Sequence, residues 1–346
     1  MDLELTDEQQ SIVEVFGALA DRWAPPAGLR EHEALGFDPK VWEQLVATGA
    51  PGMALAEADG GGGATLLDLA LAVEALGRRL TPAPLVEHAV TARLLARAGA
   101  LTPEIAEGAT LATLALRPAA DGTARLVPAG AVADTVVALA GDDLVCVTGA
   151  APGAAVPNLG DLPLADRHLA QRDLTGRGID STVLATGADA HALHDLALHE
   201  WRALTAAALV GLAAGALELA RTYVLEREQF DVPIGSFQSI QHSLADAKVG
   251  IDGAQLLAYK ANWAFAEQPA RAAELATMAL LFGAEQARVT SERGLHFHGG
   301  YGVMVEYDIQ LFYRRAKGWA LVLADPRTER HHLADLRYGA APGAGA

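Results

Sequence analysis

From about residue 193 to residue 322 the chain reads as four long amphipathic segments, at about 193–228, 237–268, 271–296 and 308–322. Apolar residues recur at three- and four-residue spacing in each, which predicts helices. The breaks carry turn signals: Asp231-Val-Pro-Ile-Gly235, Pro269 and His298-Gly-Gly-Tyr-Gly302. Four long helices with short connections have few ways to bury their apolar faces, so a four-helix bundle is expected. The most apolar stretch, Leu204 to Leu219, is Ala-rich and carries Arg202 and Glu218 at its ends. A bilayer span needs about 20 apolar residues. This stretch reads as short for one and is expected to be a buried helix.

The first third also reads as helices. Thr6 and Gln9 form a capping-box pattern ahead of Ile12, Val13, Phe16, Leu19 and Ala20. Asp38 and Pro39 are an N-cap and a first helical residue. Val41, Trp42, Leu45 and Val46 follow, and the helix stops at Gly49-Ala-Pro51. After a Gly60–Gly63 loop, a helix is predicted from about Leu66 to Leu80. The middle differs. Short β-branched runs at Thr135–Ala138, Leu144–Val147 and Ser181–Leu184 are separated by Pro, Gly and Asp clusters, a strand-and-turn pattern. The expected fold is mainly α with a small central β domain. Its parts are a helical domain at 1–108, a reduced β domain at 109–188, a four-helix bundle at 189–337 and a flexible tail at 338–346.

Composition excludes several functions. The 26 Lys and Arg against 43 Asp and Glu leave a net charge of −17, so no basic face is expected for nucleic acid. The one cysteine, Cys146, excludes a disulfide framework and a multi-thiolate metal site. The start, Met1-Asp-Leu-Glu-Leu-Thr-Asp-Glu-Gln-Gln10, lacks the basic-then-apolar pattern of a signal peptide. A cytoplasmic protein without a membrane segment is expected.

One segment is far more specific: Tyr223-Val-Leu-Glu-Arg-Glu-Gln-Phe-Asp-Val-Pro-Ile-Gly-Ser-Phe-Gln-Ser-Ile-Gln-His-Ser-Leu-Ala-Asp246. A second reads His296-Phe-His-Gly-Gly-Tyr-Gly302, followed by Glu306-Tyr-Asp308 and Arg314-Arg-Ala316. A third is Gly49-Ala-Pro-Gly-Met-Ala-Leu-Ala-Glu-Ala-Asp-Gly-Gly-Gly-Gly63 with Glu74-Ala-Leu-Gly77. Together, in this order, they resemble the acyl-CoA dehydrogenase family over nearly the whole chain. Helical, β, helical is that family's domain order.

The resemblance implies FAD as cofactor. In the family the arginine and phenylalanine placed like Arg227 and Phe230, with Gln229 between them, reach the cofactor of a neighbouring subunit. The glutamine placed like Gln238 also contacts FAD. Independently of family, a guanidinium such as that of Arg227 can bind two phosphate oxygens at once. Gly299 and Gly300, without Cβ atoms, let the backbone approach an anion. The family's usual glutamine before the Gly-Gly pair is replaced by His296, which can still donate a hydrogen bond. His298 reads as an ordinary helix-end histidine.

The chemistry that the resemblance implies is α,β-desaturation of an acyl-CoA thioester. A glutamate takes the α proton while the β carbon passes hydride to flavin. Neither of the family's two positions for this base holds a carboxylate here. One falls on Leu323, with Asp325 beside it reading as a turn or cap residue, and the other falls on Trp201, just before Arg202. Glu200 lies one residue further back, about 100° round a helix. It is a candidate base, with a solvated surface carboxylate as the plainer reading. The stretch Thr113–Gly122 keeps a proline but lacks the glutamate and Gly-Ser pair of the family's flavin-ring loop.

The pattern resembles the small subunit of heteromeric acyl-CoA dehydrogenases. A homologous catalytic subunit, in a dimer or α2β2 tetramer, would supply the missing glutamate. Acyl-CoA as substrate and an electron-transfer flavoprotein or similar acceptor are then implied. Two alternatives stand beside this: a self-sufficient homomer using Glu200, and a flavin-free helical scaffold. A di-iron bundle needs two Glu-x-x-His motifs, and only Glu329-Arg-His-His332 occurs in this half. No metal is expected.

Overall fold

The computed structural model describes residues 4–149, 153–169 and 180–339. In chain order the helices are α1 (Asp7–Trp23), α2 (Pro26–Glu31), α3 (Pro39–Ala47), α4 (Leu66–Gly77), α5 (Leu85–Arg97) and α6 (Pro103–Ala106), then α7 (Gly187–Glu226), α8 (Gln238–Glu267), α9 (Pro269–His298), α10 (Ile309–Ala320) and α11 (Pro326–Tyr338). Six strands fill the middle: β1 (Ala112–Leu114), β2 (Thr123–Val127), β3 (Thr135–Ala140), β4 (Asp143–Thr148), β5 (Ala165–His168) and β6 (Asp180–Thr186). A hairpin of β7 (Glu228–Gln229) and β8 (Val232–Pro233) follows α7. The fold is therefore mainly α with a small β region, as expected.

The chain forms two compact units. The first comprises residues 1–29, 70–81 and 202–346, and the second 30–69 and 82–201. In the second, β1 and β3 run parallel, and β3–β4 and β4–β6 pair antiparallel, giving the order β1-β3-β4-β6. A separate ribbon joins β2 and β5. Cys146 lies buried on β4, and burial pushes its thiol up to about 11. Helix α5 packs on β1. Between them His88 is fully buried, with Nε2 3.0 Å from the Ile105 carbonyl and Nδ1 accepting the Ala112 N–H at 3.2 Å. Burial pushes this imidazole down to about 4, so it stays neutral and acts as a structural tie. The helix starts follow the local signals. Thr6 and Gln9 make the reciprocal capping box, and the Asp38 carboxylate accepts the Lys40 N–H ahead of Pro39.

In the first unit α9 packs against α8, α10 and α11. From Ala203 to Ala216 α7 is buried nearly all round, as expected for a central helix. It is longer than the apolar stretch alone suggested. By length and composition it could cross a membrane, but 78% of its most apolar 18-residue window is buried inside the protein. That is the pattern of a core helix. Small residues let α4 come close: a Cβ on Gly211 would stand 2.0 Å from the Glu74 carbonyl oxygen. Alanine there must push the helices apart. Helix α11 adds a further helix to the bundle region, beyond the four predicted up to about residue 322. Its N-cap is Asp325, whose carboxylate accepts the Arg327 N–H at 2.7 Å, confirming the cap reading of that residue. Of the expected tail, residues 340–346 lie outside the described residues.

Candidate functional site

Two sequence motifs well separated along the chain meet at one end of the first unit. Tyr223, one turn before Arg227, stacks on His298, the last residue of α9, with ring centroids 3.9 Å apart and planes at 22°. Tyr307 closes on both rings edge-on, at 6.4 and 5.8 Å. The His298 Nδ1 lies 2.7 Å from the Gly294 carbonyl, so it carries the hydrogen of that bond. Burial pulls its pKa down, against the opposing effect of that bond. His298 is therefore a structural tie, in line with its helix-end reading, and it joins the Arg227 segment to the glycine pair.

Arg227 follows the last residue of α7 and is exposed. Its backbone N–H reaches the Tyr223 carbonyl and its carbonyl accepts the Ile234 N–H, at 2.9 and 2.8 Å. Its guanidinium makes no ion pair among the described residues. The β7–β8 hairpin turns on Phe230 and Asp231, whose φ values of 57° and 63° are left-handed. Two consecutive positive φ values define the tight hairpin turn that usually takes Asn-Gly. A phenylalanine held there is strained, and such strain concentrates at functional sites. It presents a ring that is 88% exposed, touched edge-on by Phe237. Gln229 spends its amide on the Glu228 carbonyl, at 2.7 Å. Gln238 opens α8, whose N-terminus has no side-chain cap, so its first N–H groups and positive dipole end remain available to an anion.

His296 is exposed near the end of α9. Gly299 has φ 61° and ψ −138°, a conformation open to glycine and closed to other residues. A Cβ on Gly299 or Gly300 would meet nothing within 4 Å, so this backbone faces open space. An unpaired guanidinium, an uncapped helix start, an amide and bare glycine backbone are the donor set a pyrophosphate requires. The residues present fit the phosphate part of FAD.

The positions for a catalytic base are different. Leu323 is buried at 6% exposure and carries no proton. Trp201 is buried at 1% and donates its Nε1–H to Glu87 Oε1 at 3.3 Å. An indole stands where the resemblance implies a carboxylate. Glu200 corrects the surface-carboxylate reading, because it is fully buried. Arg93 grips it at 2.9 and 3.2 Å, and Arg97 Nη2 bonds the same Oε1. Burial pushes this carboxyl up, but the two guanidiniums outweigh it and hold it below the usual carboxylate range. A base for a thioester α proton needs the opposite shift. Thr113, in the segment compared with the flavin-ring loop, is buried on β1 and spends its hydroxyl on the Pro128 carbonyl.

Three groupings join residues that no sequence signal brings together. One is the Tyr223–His298–Tyr307 cluster. Another is a buried ion pair from Arg202 to Glu329 on α11, at 2.8 and 3.2 Å. The third is a buried contact of Glu74 with Gln255 and Tyr259. Each joins residues far apart in sequence. Tyr223, Tyr307, His298 and Glu74 stood in the quoted motifs, but none of those motifs gave the pairings. Among the described residues, no group of three His, Cys, Asp or Glu is placed to hold a metal.

A helical protein with a small β region carries, at one end of its bundle, a donor set that fits a dinucleotide pyrophosphate. Comparison with known proteins makes it specific. The family model described as acyl-CoA dehydrogenase, N-terminal domain, matches residues 6–104, and that of the C-terminal domain matches 193–322. Acyl-CoA dehydrogenase IpdE2 of Mycolicibacterium smegmatis is 30% identical, over 95% of this chain and 98% of its own length. Benzylmalonyl-CoA dehydrogenase of Aromatoleum aromaticum is 29% identical, over 91% and 93%. Among solved structures, a Tcur3481–Tcur3483 steroid ACAD variant superposes with a TM-score of 0.83 at 27% identity, over 96% of this chain and 98% of that one. The ChsE4–ChsE5 complex from Mycobacterium tuberculosis shares the fold, with a TM-score of 0.85 at 24% identity, over 99% and 100%. The chain belongs to the acyl-CoA dehydrogenase family. That makes it an oxidoreductase and a flavoprotein with FAD as its cofactor.

Proposed function

We propose that this chain is the FAD-site-completing subunit of a heteromeric acyl-CoA dehydrogenase, whose homologous partner supplies the catalytic glutamate. The observation that carries this reading is the contrast between the two sites. The phosphate-binding end has free donors, while the base positions hold Leu323 and Trp201, and Glu200 is locked by Arg93 and Arg97. Glu200 therefore holds its charge for the ion cluster and takes no substrate proton.

Arg227, Gln238 and the first N–H groups of α8 would hold the pyrophosphate. Gly299 and Gly300 would let their backbone approach it, with His296 as a further donor. Phe230 and Gln229, carried out on the hairpin, would pack against the cofactor across the subunit interface. FAD, when bound, would supply the acceptor for the hydride of the substrate β carbon. The acyl pocket and the α-proton base would belong to the partner, in a dimer or α2β2 tetramer. An electron-transfer flavoprotein or similar acceptor would reoxidise the cofactor, in the cytoplasm. The two-component name of the Tcur3481–Tcur3483 relative supports such an assembly. The family models at 6–104 and 193–322 support the domain order 1–108, 109–188 and 189–337.

The test is co-expression with a homologous chain that carries the glutamate, followed by flavin measurement per complex. Arg227→Ala removes two charge-assisted bonds and should weaken FAD retention by about 100-fold, with Arg227→Lys recovering only part. Unchanged flavin content in Arg227→Ala would remove the residue from the site.

A further inference from the structure

Helices α4, α7 and α8 line an open cavity of about 620 Å³ in the first unit, within the size range of small-molecule sites. None of the proposed FAD residues lines it. On its wall Glu74 accepts the Gln255 amide at Oε1, 2.5 Å away, with the Tyr259 hydroxyl also acting on the carboxyl. Its Oε2 is buried and has no hydrogen-bond partner among the described residues. Buried polar atoms in folded proteins are paired, and an orphan on a cavity wall marks the place of a missing group.

The charges lining the cavity are otherwise balanced in pairs. Arg78 bonds Glu218 at 2.9 and 3.1 Å, and Lys248 pairs with Asp252. Arg221 alone among these cations makes no ion pair with a described residue. Leu217, Leu244 and Ile251 supply apolar wall between them. Burial pushes the Glu74 carboxyl up to about 7, against Gln255, Tyr259 and Arg78, which pull it down. It thus exchanges a proton near neutrality. A hydroxyl group suits both of its states, accepting from the acid and donating to the carboxylate. An amine would meet Arg78, Arg221 and Lys248. Between Gly211, at the level of Glu74, and Arg221, α7 advances about 15 Å. An elongated ligand is needed to reach both ends.

We propose that this cavity binds a medium-chain hydroxycarboxylate: its carboxylate on Arg221, its chain over Leu217, Leu244 and Ile251, and its hydroxyl on Glu74 Oε2. The site stands independently of the heteromer assignment.

Isothermal titration calorimetry of the full chain, alone and in any complex it forms, tests it at pH 7 with 10-hydroxydecanoate. One saturable site per chain is expected. Decanoate, without the hydroxyl, and 1,10-decanediol, without the carboxylate, should each bind at least fivefold more weakly. Arg221→Ala, at an exposed position outside the proposed FAD site, should weaken binding at least tenfold without moving the melting temperature. No saturable heat up to 1 mM, equal binding to Arg221→Ala, or equal binding of decanoate would overturn the assignment. Binding to the free chain that vanishes in the complex would likewise overturn it, the cavity then being an interface.

Discussion

The Nη2 of Arg93 lies 2.9 Å from Oε1 of Glu200, and Arg97 binds the same carboxylate from one turn further along α5. The carboxylate is fully buried while the two arginines keep 20% and 29% of their side chains in water. An acid held this way anchors α7 to α5 and stays ionised.

The first prediction follows from that anchor. Glu200→Gln should lower unfolding free energy by roughly 3 kcal/mol, the low end for breaking a buried ion pair, because the arginines can still reach solvent. Chemical denaturation measures it. Because the folded pKa is depressed, the contribution is present above the unfolded carboxylate value and is lost as pH falls through the folded one. The gap between wild type and variant should therefore shrink in acid. Turnover per bound flavin in the complex should stay within about twofold, since less than ~0.5 kcal/mol of barrier is at stake. A collapse of turnover with the flavin retained would restore Glu200 as the base.

The Tyr223–His298 stack gives a second prediction. Tyr223→Ala should weaken flavin retention in the complex by about fivefold, the equivalent of ~1 kcal/mol for a lost aromatic pair. Tyr223→Phe keeps the ring and should behave as wild type. Equal flavin content in the alanine variant would show that the two motifs are positioned independently.

Glu74 sets a pH dependence of the opposite sign. Its folded pKa is raised to about 7 by burial, from an ordinary 4.5. Stability tied to its protonated form is fully present below 4.5 and is lost as pH rises through 7, by roughly 3 kcal/mol in all. Glu74→Gln removes that loss. Melting curves at pH 5 and pH 8 should show the variant gaining on wild type at the higher pH. A constant difference between the two pH values would contradict the raised pKa.

What was legible in the sequence was local. The capping box at Thr6, the Asp38–Pro39 start and the Asp325 cap involve neighbours within three residues and follow from side-chain chemistry. The bundle helices followed from periodicity, which reports burial directly. The Phe230–Asp231 turn followed only in part: Asp231 opens a turn signal and tolerates a left-handed backbone, but Phe230 does not favour one and is held there by its tertiary context. The environment of Glu200 was equally hidden: its partner Arg93 stands 107 residues away. Trp201 was visible as a substitution in a motif, but that its indole is sealed against Glu87 was not. The candidate cofactor residues were named from two motifs. What the fold adds is the His298–Tyr223 contact that joins the two motifs.

The central claim is that this chain grips FAD and leaves the proton transfer to a partner. The direct measurement is acyl-CoA oxidation with an artificial electron acceptor, by this chain purified alone and by its co-purified complex with the homologous glutamate-bearing chain, each normalised to bound flavin. The account predicts no flavin and no turnover for the chain alone. In the complex it predicts activity that survives Glu200→Gln here and is abolished by Glu→Gln in the partner. A yellow, active homomer of this chain alone, losing turnover in Glu200→Gln, would contradict it.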